Sequence, residues 1–261
     1  MKIVSSITFA VVLTLFIFAS GCAGSHPTVI GSGKLSTWDF DHSDFKKIEA
    51  GSGFELNIVK SDSYLVRVTF DENLLEYLDV RKSGDTLHIG LKPNYNYINC
   101  AHEANITLPD LRGLALSGDS HAEVKGFRTS RSVRFEFSGY SSAHIEDFES
   151  GSTHFEISGS SNATGNIKIQ NGVFVLSGGS DIEFTGSAEG ISVKASGGSL
   201  VRLDNFIVDN ADVNLSGASE ATINTIGRLD VNLSGASTLY TIGKPRLGEF
   251  SASGGSTIIS K

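Results

Sequence analysis

Two histidines and two glutamates raise the first chemical question. His121 and Glu123, then His144 and Glu146, recur with alternating spacing about one repeat apart, and Asp147 adjoins the second pair. Imidazole and carboxylate together can hold Zn²⁺, and strands stacked on one another would bring the two pairs within about 5 Å. The plainer expectation is that the outward face of a strand carries polar side chains and holds no metal. Cleavage of polysaccharide would instead need two or three converging carboxylates. The outward series Glu123, His144, Thr164, Glu183, Arg202, Thr222, Tyr240 mixes residue types, and no Gly-x-Ser-x-Gly nucleophile motif occurs. We therefore expect no catalytic residues and no cofactor. A carbohydrate-active lyase or hydrolase is the alternative, and it would show a cleft of carboxylates with perturbed pKa values.

The elements that must position these residues come from a repeat. Asp-Val-Asn-Leu-Ser-Gly-Ala-Ser occupies 212–219 and recurs unchanged at 230–237. It belongs to a longer series of Ser-Gly pairs: Ser117-Gly118, Ser138-Gly139, Ser158-Gly159, Ser177-Gly178, Ser196-Gly197, Ser216-Gly217, Ser234-Gly235 and Ser253-Gly254, at intervals of 18 to 21 residues. A second serine follows three positions after the first in every unit, from Ser120 to Ser256.

Around each pair the pattern has period two, the mark of a strand with one buried face. Leu116, Phe137, Ile157, Leu176, Ala195, Leu215, Leu233 and Ala252 form one apolar column, with Leu114, Phe135, Phe155 and their equivalents two positions earlier. After the corner a second column runs Ala122, Ala143, Ala163, Ile182, Val201, Ala221, Leu239, Ile258. A third apolar position is expected at Phe127, Phe148, Phe206 and Ile226. Strands flanking so tight a corner cannot pair with each other. They must pair with their equivalents one unit along, which makes an all-β parallel β-helix of about 20-residue coils, a solenoid whose units touch only their neighbours. Glycine suits the bend because it reaches dihedrals closed to other residues. Serine can bond backbone groups left unpaired there, and stacked serines could bond one another up the ladder or meet a periodic ligand such as a glycan.

Residues 41–110 read as an entry cap with irregular coils. Phe54-Glu-Leu-Asn-Ile-Val and the Tyr64 and Thr86 segments alternate as strands, Ser83-Gly84-Asp85 marks a tight turn, and Ala50-Gly51-Ser52-Gly53 resembles an early corner. Asn73-Leu-Leu-Glu-Tyr-Leu is the one helical candidate. Residues 22–40, rich in Gly, Ser and Thr, are expected to be a tether. The cap and the eight Ser-Gly units of 111–261 form a single domain, 41–261.

Residues 1–21 comprise one basic residue, the apolar run Ile3 to Phe18, and small residues leading to Cys22. The segment resembles a prokaryotic lipoprotein signal, although Ala19 stands where leucine is usual. That resemblance implies export and lipid on Cys22, an anchor to the cell envelope at the outer membrane or cell surface. Cys100 then has no partner within the chain and is expected to be a buried thiol. Losing Lys2 takes 21 basic residues to 20 against 29 acidic, a net charge of −9. Without a basic cluster, nucleic acid is excluded as a partner.

The stretches Phe45-Lys-Lys-Ile48, Asp71-Glu-Asn-Leu-Leu, Gly84-Asp-Thr-Leu-His-Ile and Ile106-Thr-Leu-Pro-Asp-Leu, with the repeated Leu-Ser-Gly-Ala-Ser, resemble the auto-transporter adhesin head domain family of bacterial envelope proteins. The family has no assigned function. The resemblance implies a right-handed β-helix and carries no catalytic residues with it. The expected role is adhesion, scaffolding or glycan contact, with self-association or envelope-protein docking through the final coil.

Overall fold

The computed structural model describes residues 26–261, so the predicted signal and Cys22 lie outside the described residues. The N-terminal part supplies β1 (Thr28–Ile30), β2 (Leu35–Asp39), β3 (Lys47–Ala50), β4 (Glu55–Lys60) and β5 (Leu65–Asp71). A short 3₁₀ helix (Glu72–Tyr77) follows, where the one helical candidate was expected, and then β6 (Leu78–Ser83), β7 (Thr86–Leu91), β8 (Asn96–Ile98) and β9 (His102–Leu108). β6 and β7 close antiparallel on the predicted Gly84 turn, with Ser83 opposite Thr86.

The repeat region supplies β10 (Gly113–Leu116), β11 (His121–Lys125), β12 (Ser132–Phe137), β13 (Ser142–Ile157), β14 (Asn162–Leu176), β15 (Asp181–Ala195) and β16 (Leu200–Leu215). It ends with β17 (Glu220–Thr225), β18 (Arg228–Leu233), β19 (Thr238–Ile242), β20 (Arg246–Ala252) and β21 (Thr257–Ser260). The result is a β-solenoid of about 7 turns, the spacing that eight corners delimit.

Every pairing in the repeat region is parallel, and the register follows the sequence columns. Leu116 lies beside Phe137, Phe137 beside Ile157, and the series continues residue by residue to Ala252. The second column, Ala122 to Ile258, is equally in register. Unit lengths differ, yet both columns stay aligned because the surplus is absorbed between them: register shifts fall at Ile145/Phe148, Glu183/Gly186, Leu203/Ile207 and Leu229/Val231. Identical inward positions stack identical chemistry. The rings of Phe135, Phe155 and Phe174 lie nearly parallel at 4.8 and 5.4 Å, a geometry that adds to simple burial.

Two expectations are corrected. Residues 28–39 are not a tether. β1 pairs with β8 and β2 with β5, while Val29 and Trp38 pack against the core. Apolar alternation there outweighs the small, polar composition. The strap is also held by side chains: buried Asp71 accepts from the Gly33 and Ala101 amides at 2.6 and 3.0 Å, and Asn73 bonds Ile30 and Ser32.

Ile226, placed by sequence in the third inward column, is 60% exposed; Phe206 has no partner in β17, and fully buried Thr225 lies beside Val208 instead. The unit is short there: residues 204–206 of β16 have no partner in β17, so the position that would continue the third column is missing. Thr225 meets the polar cost by donating its hydroxyl to the Val208 or Asp209 carbonyl, each at 3.1 Å.

The predicted early corner is real. Ala50 O accepts from the Ser117 amide, and β3 and β4 pair with β10 and β11 as a first coil. The cap beyond it departs from sequence order. β7 lies against the far side of β3, and β9 lies between β4 and β5. The chain therefore leaves the first coil, builds outward from it, and returns across it to begin β10.

Candidate functional site

The Ser-Gly row is built for shape. All eight corner glycines, Gly118 through Gly254, take φ between +60° and +78°, a region that L side chains resist. Seven of the second serines donate Oγ–H to the carbonyl of the first serine of their own corner, at 2.7 to 3.0 Å. The eighth, Ser161, is buried with its hydroxyl unpartnered. The expected serine-to-serine ladder is absent among the described residues. Each of the seven closes its own turn, because the carbonyl three residues back is nearer than the next coil. From Ser120 to Ser237 these serines are at most 1% exposed, so their hydroxyls are turned away from any ligand.

The His–Glu group does not converge. Register sets Glu123 beside His144, but His121 beside Ser142 and Glu146 beside Lys125. His121 Nδ1 is 2.5 Å from Ser142 Oγ, and His144 Nδ1 is 3.0 Å from Thr164 Oγ1. Lys125 Nζ donates to Glu146 at 2.7 Å and holds that carboxyl below its usual range. Among the described residues no three His, Cys, Asp or Glu side chains are grouped to hold a metal. Glu55 and Glu103 join His121 and His144 along a shallow cleft of about 340 Å³; their column comes from the cap.

A larger depression, about 720 Å³, lies where the cap hairpin meets the first coils. Its origin is in β10. Outward positions that carry Arg134 and Glu136 on one neighbouring strand, and Lys47 and Glu49 on the other, carry Gly113 and Ala115 here. The floor is therefore one side chain lower than its surroundings. Ion pairs wall it. His88 Nδ1 lies 2.9 Å from Glu49, Arg81 3.1 Å from Asp79, and Arg134 bridges Glu136 and Glu156. These carboxylates already have side-chain partners, and the Glu136 bond raises Arg134 further. Such a wall offers fixed donors and acceptors to a polyhydroxylated ligand.

The sequence did carry a signal for this notch. Ala115 is the smallest residue of its outward column. The β6–β7 hairpin that completes the wall left no comparable trace.

Burial pushes the Asp181 carboxyl up against the opposing pull of Arg202, but it stands in an ion pair apart from the notch. Cys100 is half-buried, donating to the Ile98 carbonyl at 3.3 Å, and its surroundings push the thiol up. A raised thiol is a poor nucleophile. Among the described residues no helix is long and apolar enough to cross a membrane.

Solved structures share the architecture. A putative adhesin from Parabacteroides merdae is 19% identical and superposes with TM-score 0.82, over 90% of this chain and 99% of its own. A putative adhesin from Parabacteroides distasonis is 18% identical with TM-score 0.82, over 90% and 100%. A putative lipid binding protein from the same species is 20% identical with TM-score 0.77, over 90% and 99%. At such identities the likeness is one of fold. No protein of curated function matches the chain. With its Ser-Gly coils, its cap and a match over residues 44–245, the chain belongs to the family described as putative auto-transporter adhesin, head GIN domain.

Proposed function

We propose that this chain is an exported lipoprotein, anchored to the cell envelope through Cys22, whose β-helix is a non-catalytic adhesion module that takes a glycan segment into the notch over Ala115. The notch carries the reading. It has about twice the volume of the cleft beside His121 and His144, and its rim couples Arg81, His88 and Arg134 to carboxylates that are already paired. Paired carboxylates bind hydroxyls well and make poor proton donors or nucleophiles. The fixed wall limits the ordering cost of binding.

Binding of the full chain to an array of envelope and host glycans tests it, beside Ala115→Tyr, which fills the notch from an outward strand position. Loss of binding in Ala115→Tyr with unchanged unfolding supports the site. Equal binding by both proteins places the ligand elsewhere, and product release from any bound glycan overturns the non-catalytic reading. Lipid labelling of the wild type, absent in Cys22→Ala, tests the anchor separately.

A further inference from the structure

Of the eleven large apolar side chains left exposed among the described residues, five lie in the cap, and three, Leu247, Phe250 and Ile259, lie in the last coil. Ile30 is 58% exposed, Leu35 53%, Leu75 43%, Ile98 41% and Tyr95 37%. The parallel pairing of β1 with β8 sets Ile30 directly beside Ile98, while the alternate residues Val29 and Tyr97 pack on the core. Asn73 ties the 3₁₀ helix to the Ile30 carbonyl, which draws Leu75, two residues on, to this end. Leu35 pairs with Asp71 at the helix start, and Tyr95 rests edge-on against Tyr77 at 4.9 Å. A set of exposed apolar groups of this size marks an interaction surface.

The position of the patch in the chain says what covers it. The described chain begins at residue 26, two residues before β1, and the preceding segment contains the apolar run Ile3 to Phe18 and Cys22. Cys22 stands six positions before Thr28, a reach of at most about 21 Å, so whatever holds Cys22 is close to this patch. Charge nearby is balanced, with Lys34 paired to Glu72 at 3.6 Å, which suits a zwitterionic surface. Tyrosines with an apolar body and a polar tip are characteristic of the membrane–water boundary.

We propose that the cap end is a membrane-contact face: Ile30, Leu35, Leu75, Tyr95 and Ile98 sit at the headgroup–acyl boundary of the bilayer, and the later coils project away from it. This rests on the anchor reading of Cys22.

The test uses the full chain, purified from membranes and reconstituted into phosphatidylcholine vesicles with and without brominated acyl chains. In a Trp38→Phe background, Ile98→Trp and Leu75→Trp report on the cap end and Ile259→Trp on the far end. Strong quenching by brominated lipid in the two cap variants, with little in Ile259→Trp, is the expected result. If the protein floats with vesicles but the cap variants are quenched no more than Ile259→Trp, the anchor stands and the contact face falls. If the wild type does not float, both readings fall. A blue shift in the cap variants that grows with protein concentration without lipid assigns the patch to a second copy and overturns the proposal.

Discussion

Gly178 and Gly53 have the same backbone angle, φ +76°, and opposite surroundings. A Cβ on Gly178 would meet the Gly159 carbonyl oxygen at 2.5 Å, whereas a Cβ on Gly53 would meet nothing within 4 Å. Alanine at either site pays the left-handed strain, about 1–2 kcal/mol. At Gly178 it must also push the Gly159 carbonyl away, and that carbonyl accepts the Gly179 amide at 2.8 Å. Losing or stretching that inter-coil bond adds about 0.5–1.5 kcal/mol, before any displacement of the coil. Gly178→Ala should therefore lose about 2–3 kcal/mol and Gly53→Ala about 1–2 kcal/mol, with Gly178→Val worse than either. Urea unfolding measures the totals, and amide exchange at Gly179 localises the damage. Equal losses at the two sites would refute the idea that coil stacking, beyond the local turn, demands glycine in this row. A neutral Gly178→Ala would remove the shape argument for the whole row.

Asp230 is held below its usual range by Arg228 and by the Glu249 amide, which it accepts at 2.6 Å. A carboxyl lowered by folding contributes stability above its unfolded value, near 3.8, and loses it as pH falls through the lowered one. Asp230→Asn should thus speed amide exchange in β20 at neutral pH, with the difference from wild type shrinking in acid; a pH-independent difference would contradict the linkage. Asp181 has the opposite sign: burial raises it, so its ionised form opposes folding as pH climbs from about 3.8 through the raised value. Asp181→Asn should unfold no earlier than wild type at neutral pH, since Arg202 keeps Glu183 at 3.0 Å; a clear drop in melting temperature would show that the Arg202 pair outweighs burial. Thr225→Val keeps shape and removes only the hydroxyl's bond, while the Val208 and Asp209 carbonyls keep the Ile226 and Gly227 amides at 3.0 and 2.7 Å, so it should cost no more than about 1 kcal/mol in urea unfolding.

The repeat region was legible because its determinants are local and recur. Period two fixes which side chains face inward, Ser-Gly fixes each bend, and the partner of any residue is its equivalent one unit later. Leu116 opposite Phe137 and Ala122 opposite Ala143 follow from letters 21 apart. Ile226 marks where that logic slips: at the short unit, periodicity could not say whether residue 225 or 226 turns inward, and only the filled interior decides.

The cap has no period to exploit. Arg67 grips Asp39 across 28 residues, and the Phe54 amide meets Ser120 Oγ across 66. Nothing local in β9 announces that it inserts between β4 and β5, and the alternation within residues 28–39 does not say which surface they dock on. The notch over Ala115 and the apolar end around Ile98 are products of those distant pairings. A repeat carries its pairing rule in its own spacing, whereas a cap is specified only by which surfaces remain to be buried once the coils have formed.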